Sequence, residues 1–215
     1  MRFIGITGGV GAGKSAILSY LKEKTNTKVM LADEIAHDLM EPGTDCYKKI
    51  LEQFAGLDIL TVDCPEDKNK DEISSSAPPF DRVKLAQVIF SDGSRREQMN
   101  AIVHPAVKDY VQKQYTDALE KNELELLVLE AALLIEEDYG EICDELWYIN
   151  TSEENRRKRL KESRGYSDEK IDQIFKSQLS EMEFRASTQV TIDNNGDLEE
   201  TKKQIEKALR RKADE

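Results

Sequence analysis

The pattern of apolar and polar positions predicts five short strands that are separated by helical segments. The apolar runs that predict strands are Phe3–Thr7, Val29–Ala32, Leu126–Leu129, Leu146–Ile149 and Val190–Ile192. Between several of them, apolar residues recur at the three- and four-residue spacing of a helix. Strands that alternate with helices are typical of a parallel sheet with helices on both faces. We therefore expect an α/β fold.

The middle of the chain has a different pattern. From about Cys46 to Leu119 the periodicity is mostly helical, and a polar stretch, Asp63–Pro79, interrupts it with serines, prolines and charged residues. This composition is typical of a mobile surface loop. We expect one domain in which a helical lobe is inserted between the second and third strands. Its predicted parts are a core of about residues 1–44, 124–151 and 188–215, a lobe of about 45–123 and a helical lid of about 152–187.

Three helices are predicted in the last third of the chain. The first follows the fourth strand, where Thr151 and Glu154 fit a capping box. The second covers about Ser167–Arg185 and has an apolar face that includes Met182. The third begins near Asp197 and is a charged amphipathic helix, which we expect to pack on the edge of the sheet.

A glycine-rich motif lies between the first predicted strand and the first predicted helix. The run from Gly8 to Ser15 fits the pattern G-x-x-x-x-G-K-[ST] in the strand–loop–helix context that this motif requires. Its backbone N–H groups cradle phosphate oxygens at a helix N-terminus. Lys14 is expected to reach the β- and γ-phosphates, and the Ser15 hydroxyl to bind Mg²⁺. The motif indicates a nucleotide-binding protein.

The motif alone does not separate a kinase from a GTPase or an ATP-driven motor. A guanine-binding protein needs an Asn-Lys-x-Asp segment after a strand, whereas the strand that ends at Ile149 continues Asn-Thr-Ser-Glu. A motor needs more chain than 215 residues provide. A small phosphotransferase needs a base, a cationic lid and an acceptor pocket, and each of these has candidates in the sequence.

Asp33 is the candidate base, because it directly follows the second predicted strand. Ligands of open α/β folds bind at the carboxyl ends of the strands, where a carboxylate can accept a hydroxyl proton or orient Mg²⁺. The alternative is that Asp33 caps the helix that follows, since Asp is favoured at that position. Position alone leaves both roles open.

A cluster of six cations in the first lid helix is the candidate for charge neutralisation. Cationic donors stabilise the charge that spreads over transferring phosphoryl oxygens. Most charge runs are solvated faces, so we expect only part of this one to enter a site. The six residues are Arg156, Arg157, Lys158, Arg159, Lys161 and Arg164.

Three further segments have two possible roles each. His104 and Pro105 are predicted to start a helix, and His104 either binds the acceptor or caps and packs that helix. Glu130, at the end of the third strand, either supports Mg²⁺ through water or is an exposed charge. The Asp193–Gly196 segment is a predicted turn that also ends a strand where adenine could lie.

Charge and composition narrow the classes of partner. The chain has 31 basic and 43 acidic residues and a net charge of −12, which argues against nucleic-acid and anionic-membrane partners but permits a local basic pocket. Cys46, Cys64 and Cys143 are too few and too scattered for a disulfide framework or a zinc site. No apolar stretch approaches the roughly 20 residues of a membrane span. We expect a soluble cytoplasmic protein that is a monomer or a weak homo-oligomer.

With these residues assembled, the chain resembles the dephospho-coenzyme A kinase family along nearly its whole length. The Gly-rich motif is generic, whereas the succession of the later segments is far more specific. The matching segments are Gly5–Ser15, Ala32–His37, Glu41–Gly43, Phe80–Arg82, Asn100–Pro105, Leu133–Glu136, the basic lid, Gln178 and Ile192–Gly196.

The resemblance implies transfer of the γ-phosphate of ATP to the ribose 3′-hydroxyl of dephospho-coenzyme A, the last step of coenzyme A synthesis. It implies that Asp33 is the base and that Arg159 is the lid arginine at the transferring phosphoryl group, with Lys14 as the third catalytic residue. The implied acceptor-binding residues are Asp33, His37, Arg82, His104 and Pro105. The implied ATP-binding residues are Gly9, Val10, Gly11, Ala12, Gly13, Lys14, Ser15 and Ala16, with Asn194 and Gly196 beside the adenine. Ser15 is the implied Mg²⁺ ligand.

The chain departs from the family pattern at several positions. Leu31 stands where the family usually has an Asp, so Asp33 lacks a neighbouring carboxylate that would raise its basicity. His37 stands where Arg is usual, and the second lid arginine comes one residue late, as Arg164 after Ser163. Two alternatives stay open: a kinase of another small hydroxyl or nucleotide acceptor, and a relative that binds ATP without catalysis or acts as a nucleotide switch.

Overall fold

The computed structural model describes residues 1–61 and 77–211, which form two compact units. The described residues of the first unit are 1–31 and 115–211, and those of the second are 32–61 and 77–114. The predicted bounds of core, lobe and lid stay a prediction. Residues 63–76 of the predicted surface loop, which include Cys64, lie outside the described residues. Cys46 and Cys143 are buried free thiols, and burial raises the pKa of Cys143 to about 12.

A five-stranded parallel sheet forms the centre of the first unit. The strand order is β2-β3-β1-β4-β5, and every neighbouring pair is parallel. The strands are β1 (Arg2–Thr7), β2 (Thr27–Leu31), β3 (Leu126–Glu130), β4 (Glu145–Asn150) and β5 (Val190–Asp193). The prediction of an α/β fold with a parallel sheet is confirmed. Ala32, predicted to end the second strand, instead begins a helix.

The helices follow the predicted order with several changes of extent. They are α1 (Lys14–Lys22), α2 (Ala32–Leu39), α3 (Asp45–Gln53), α4 (Arg82–Phe90), α5 (Gly93–Lys121), α6 (Glu153–Arg164), α7 (Asp168–Lys176), α8 (Glu181–Ala186) and α9 (Leu198–Arg210). A 3₁₀ turn covers Tyr139–Glu141. None of the helices in the described part of the chain is both long and apolar enough to span a membrane.

Alternate residues of the strands pack on helices at opposite faces of the sheet. On one face, Trp147 is fully buried in a cluster with Leu21 of α1 and Ile205 of α9. On the other, the ring of Tyr148 stacks on Phe184 of α8 with centroids 4.7 Å apart. Because successive strand residues point to opposite faces, a strand that is apolar throughout requires helices on both sides. The sheet is therefore buried on both faces.

The second predicted lid helix is in fact two helices. The prediction of one helix over about Ser167–Arg185 is wrong, since α7 ends at Lys176 and α8 begins at Glu181. Ser180 and Glu183 form a reciprocal capping box that starts α8. Met182, predicted on the apolar face, is 79% exposed, because the break rotates it out of the stripe that α7 begins.

The capping box predicted at the start of the lid is also wrong. Ser152, not Thr151, caps α6, and its hydroxyl accepts the Asn155 N–H at 3.3 Å. Thr151 is 4% exposed, and its hydroxyl donates to the carbonyl of Ala12 at 3.0 Å. The Thr151 side chain therefore faces the glycine-rich loop instead of its own helix.

Pro105 lies inside a helix and does not start one. The helix α5 begins at Gly93, so the prediction that His104 and Pro105 open a helix is wrong. Proline has no N–H to donate to the carbonyl four residues back. A stripe of buried side chains continues through this position and holds the helix together; it consists of Met99, Val103, Val107 and Val111.

The second unit is helical, as the sequence predicts for the middle of the chain. Thr44 caps α3 by accepting the Tyr47 N–H at 3.0 Å, and Asp81 caps α4. The Tyr47 ring lies 4.7 Å from that of Phe80, which pairs with Leu60 in an isolated β-bridge. These contacts fix the start of α4, where Arg82 is the first helical residue.

Candidate active site

The glycine-rich loop connects β1 to α1, and two of its glycines have no room for a side chain. Gly13 caps α1 in the left-handed region at φ 85°. A Cβ there would lie 2.5 Å from Asn194 Nδ2 and 3.0 Å from Arg159 Nη1. A Cβ on Gly9 would collide with the guanidinium of Arg156. The loop is glycine-rich because side chains from the lid and from the end of β5 approach its backbone.

The ammonium group of Lys14 folds back over the first residues of the loop. Lys14 Nζ donates to the Gly8 carbonyl at 2.7 Å and lies 3.5 Å from Glu130 Oε1. Both side chains are mostly buried, so Glu130 is not the exposed strand-end charge that the sequence left possible. Since this lysine reaches the β- and γ-phosphates in such loops, we expect the terminal phosphates at the Gly8 side of the loop.

At the other end of the loop, the Ala12 carbonyl accepts three hydrogen bonds. The donors are Asn194 Nδ2 at 2.7 Å, Thr151 Oγ1 at 3.0 Å and Arg159 Nη1 at 3.2 Å. Arg159 Nη2 also donates to the Asn194 carbonyl at 2.8 Å, and Asn194 Oδ1 accepts from Thr201 Oγ1 at 3.0 Å. The predicted contact of Asn194 with ATP and the predicted role of Arg159 at the transferring phosphoryl group stay predictions. In the structure, both side chains donate to the backbone of the loop.

A second lid arginine lies over the terminal-phosphate end of the loop. Arg156 Nε donates to the Val10 carbonyl at 2.9 Å, and its guanidinium carbon lies 4.2 Å from the centre of the Phe175 ring. Its Nη2 donates to Gln178 Oε1, which also accepts the Val10 N–H at 3.3 Å. Burial lowers the pKa of Arg156, against the opposing effect of Tyr148.

Sequence reasoning did not single out Arg156 within the cluster of six cations. The available signal was its position three residues before Arg159, which puts both side chains on one face of α6. The other cations have partners elsewhere or, as for Lys158, are exposed. Arg157 pairs with Asp168 at 2.9 Å and with Asp172 at 2.5 Å. Lys161 also pairs with Asp168, and Arg164 lies over the ring of Tyr166.

The first turn of α1 fits a magnesium ion that arrives with a nucleotide. Ser15 and Ala16 are exposed there, directly after Lys14. No cluster of three or more His, Cys, Asp or Glu side chains that could hold a metal occurs among the described residues. Mg²⁺ is commonly held by one or two protein oxygens together with substrate phosphates and water. The exposed Ser15 hydroxyl is an oxygen of this kind, and its predicted role as a Mg²⁺ ligand stays a prediction.

The remaining predicted residues belong to the second unit. Asp33 and His37 are exposed residues of α2, and Asp33 lies in the first turn of this helix, after β2 ends at Leu31. The alternative role of Asp33 as helix cap is therefore not what the structure shows. Pro105 is exposed and His104 is partly buried on α5. Gly196, in contrast, lies with Asn194 in the first unit, in the bend before α9.

A cavity of about 770 Å³ lies within the second unit. Its described lining includes two predicted acceptor residues, His37 and Arg82, but neither His104 nor Pro105. Most of its walls are apolar, with contributions from Phe80, Leu85, Met99 and Val103. Arg82 forms no ion pair with another described residue. The cavity thus combines an apolar wall with Arg82 and two carboxylates, Glu41 and Asp81.

Sequence comparison gives the same family along almost the whole chain. A family model for dephospho-CoA kinase matches residues 2–200. A curated dephospho-CoA kinase of Oceanobacillus iheyensis is 35% identical over 208 residues, which cover 97% of this chain and 96% of the relative. A dephospho-CoA kinase of Geobacter sulfurreducens is 33% identical over 206 residues, 96% of each chain.

Solved structures of other proteins have similar folds, and two of the three described next are named as kinases. A Thermus thermophilus protein is similar with a TM-score of 0.71 and 25% identity, over 97% of this chain and 96% of that one. A dephospho-CoA kinase from Campylobacter jejuni gives 0.64 at 20% identity, covering 98% and 96%. A shikimate kinase from Acinetobacter baumannii gives 0.51 at 15% identity, covering 98% and 92%. At the identities of the last two, the likeness concerns the fold alone.

Proposed function

Because the chain belongs to the dephospho-CoA kinase family, we propose that it transfers the γ-phosphoryl group of ATP to the ribose 3′-hydroxyl of dephospho-CoA. The products are CoA and ADP. The observation that carries this proposal is the family match over residues 2–200, which includes both the glycine-rich loop and the unit with the cavity. The loop supplies a donor site, and the cavity supplies a candidate acceptor site.

The reaction is an in-line displacement at the γ-phosphorus. The 3′-hydroxyl oxygen forms the new bond to phosphorus, the bond from phosphorus to the β–γ bridging oxygen breaks, and ADP leaves. The hydroxyl proton passes to the carboxylate of Asp33. That carboxylate is exposed, as a base that must reach a substrate has to be.

The phosphate-binding residues neutralise the charge on the nucleotide. Lys14 binds the β- and γ-phosphates, and Arg159 is proposed to stabilise charge that develops during transfer. Ser15 would hold Mg²⁺ through its hydroxyl. When bound, this ion offsets the negative charge of the phosphates. The loop N–H groups hold the phosphate oxygens in place. The γ-phosphorus is thereby aligned for the displacement.

The acceptor fits the cavity of the second unit by its chemistry. Dephospho-CoA carries a pyrophosphate together with a long, largely uncharged pantetheine arm. Arg82 and His37 line the cavity and offer partners for phosphate oxygens, whereas the apolar side chains offer surface to the arm. His104 and Pro105 remain proposed acceptor residues on the neighbouring turn of α5, beside Val103 of the cavity wall.

The first experiment measures ADP release from Mg-ATP with dephospho-CoA, adenosine, AMP or no acceptor. We expect rapid ADP formation only with dephospho-CoA, accompanied by CoA. Preference for another acceptor would contradict the proposed substrate but not the kinase activity. ATP binding without turnover on any acceptor would show a non-catalytic relative.

The role of Asp33 is tested by Asp33→Asn. Loss of a general base lowers turnover by about 10²- to 10⁴-fold, and we expect ATP affinity to stay nearly unchanged. Glu34→Gln is the matched control, because Glu34 is an exposed carboxylate in the same helical turn. Unchanged turnover of Asp33→Asn would exclude Asp33 as the base.

A further inference from the structure

Two side chains at the terminal-phosphate end of the loop, Arg156 and Gln178, have no role in the proposed mechanism so far. The loop has two ends that are occupied by different cations. Lys14 Nζ marks one end by its hydrogen bond to the Gly8 carbonyl, and Arg156 lies over the next two residues, Gly9 and Val10. Arg159 contacts the opposite end. Arg156 therefore shares the terminal-phosphate end with Lys14.

Arg156 forms no ion pair with a carboxylate in the described part of the chain, and Glu153 of the same helix attracts its charge only through space. The partners of Arg156 are the Val10 carbonyl, the Gln178 side-chain carbonyl and the Phe175 ring. Arg157, the next residue, lies over the same ring but pairs with two aspartates. A partly buried cation with only neutral partners is costly, and burial lowers its pKa. A bound anion would supply the missing counter-charge.

The side-chain oxygen of Gln178 accepts from the same donors that a phosphoryl oxygen would use. The Val10 N–H and Arg156 Nη2 converge on Gln178 Oε1. Gln178 lies in the short break between α7 and α8, which Ser177 and Ser180 bound as helix caps. An ionised oxygen is a stronger acceptor than a neutral amide oxygen. A phosphate that enters the loop can therefore replace Gln178 at both donors.

We propose that Arg156 binds the terminal phosphoryl group of the donor nucleotide, and that Gln178 positions Arg156 by accepting hydrogen bonds from the two donors that a phosphoryl oxygen would use. This inference rests on the proposed function, because it takes ATP as the donor. It gives the two lid arginines different tasks: Arg156 distinguishes ATP from ADP in binding, whereas Arg159, whose observed contacts lie at the Ala12 end of the loop, keeps its proposed role during transfer. The ratio of the two nucleotide affinities is the quantity that Arg156 sets.

The test is calorimetric titration of the full chain with Mg-ATP and with Mg-ADP, without acceptor. A hydrogen bond to a charged group has the strength to change affinity by about 10- to 100-fold. We expect Arg156→Gln to lose ATP affinity by that factor and ADP affinity by less than about threefold. Arg157→Gln is the matched control, with both affinities retained. An equal loss for ATP and ADP, or no loss, would overturn the role of Arg156.

Two further variants test the proposal even where Arg156→Gln fails to fold. Arg156→Lys retains the charge but not the planar fork of donors, so its ATP affinity should fall between those of the wild type and Arg156→Gln. Gln178→Glu places a carboxylate on the two donors, and we expect it to lower ATP affinity about tenfold with a smaller loss for ADP. Unchanged ATP affinity in Gln178→Glu would overturn the role of Gln178. Thermal melting followed by circular dichroism checks each variant.

The same preparations separate this inference from the proposed function. Wild-type turnover with dephospho-CoA tests the function, whereas the ATP-to-ADP affinity ratio tests Arg156. An active wild type whose affinity ratio survives Arg156→Gln would contradict the inference alone. A wild type that prefers ATP, loses that preference in Arg156→Gln and phosphorylates another acceptor would support the inference and contradict the substrate. A wild type that binds no ATP would overturn both.

Discussion

The glycine-rich loop of the first unit and the cavity of the second unit recognise ligands by different physical means. The loop consists of backbone amides, with Lys14, Arg156 and Arg159 held at hydrogen-bond distances from its carbonyls. The cavity has mostly apolar walls and few charges. Hydrogen bonds depend on direction and distance, whereas apolar contact depends on the area that is buried. The proposed donor site therefore depends on the positions of individual atoms, and the proposed acceptor site depends on its shape.

This difference predicts how each site responds to mutation. Removing one charged donor from the loop leaves phosphate charge without a partner, which is costly in a water-poor site. Changing an apolar wall residue by a small volume usually costs little, because neighbouring side chains adjust. Single substitutions in the loop should therefore have larger effects than single substitutions around the cavity.

Lys14→Met should have the largest effect. The variant removes the ammonium that reaches the β- and γ-phosphates, and loss of such a group lowers turnover by about 10³-fold. Steady-state ADP release measures it, and circular dichroism checks the fold, because Glu130 loses its partner. Lys22→Met is the control, since Lys22 is an exposed lysine at the opposite end of α1. Comparable losses in both variants would show that the loop is not the donor site.

Asn194→Ala should have an intermediate effect, on stability as well as on ATP binding. Asn194 is 6% exposed and bridges the Ala12 carbonyl to the Thr201 hydroxyl. Loss of a buried hydrogen-bonding group costs about 1–3 kcal/mol of unfolding free energy. Urea denaturation measures it. Asn155→Ala is the control, because that partly exposed side chain lies on the lid helix and should cost less than about 1 kcal/mol. Equal destabilisation by both would contradict the anchoring role of Asn194.

The sequence was sufficient to predict the elements whose formation depends on residues close together in the chain. The five strands and the loop that ends at Ser15 were predicted because their patterns lie within short windows. The contact between Arg156 and Gln178 was not predicted, because 22 residues separate them and the connecting segment is broken between α7 and α8. The local signal of that break is the Ser180–Glu183 capping box, and the apolar periodicity that argues for one helix concealed it.

The errors also have a common physical cause, which is that tertiary packing outweighs local preference. Pro105 suggests a helix start, but the buried stripe through Val103 and Val107 keeps α5 intact around it. Thr151 suggests a helix cap, but its hydroxyl donates to the Ala12 carbonyl. The cavity could not be predicted for the same reason, since its wall combines α2, α4 and α5.

Arg82→Ala should have the smallest effect and is the sharpest test of the acceptor site. Arg82 is an exposed first-turn residue of α4 that lines the cavity, so water already weakens its attraction for a phosphate. We expect the KM for dephospho-CoA to rise about five- to tenfold, with the KM for ATP unchanged. Lys84→Ala is the matched control, because Lys84 is a cation of the same helix that pairs with Asp58 and is not among the described lining residues. A rise in the KM for ATP alone, or equal effects of both variants, would show that the cavity is not the acceptor site.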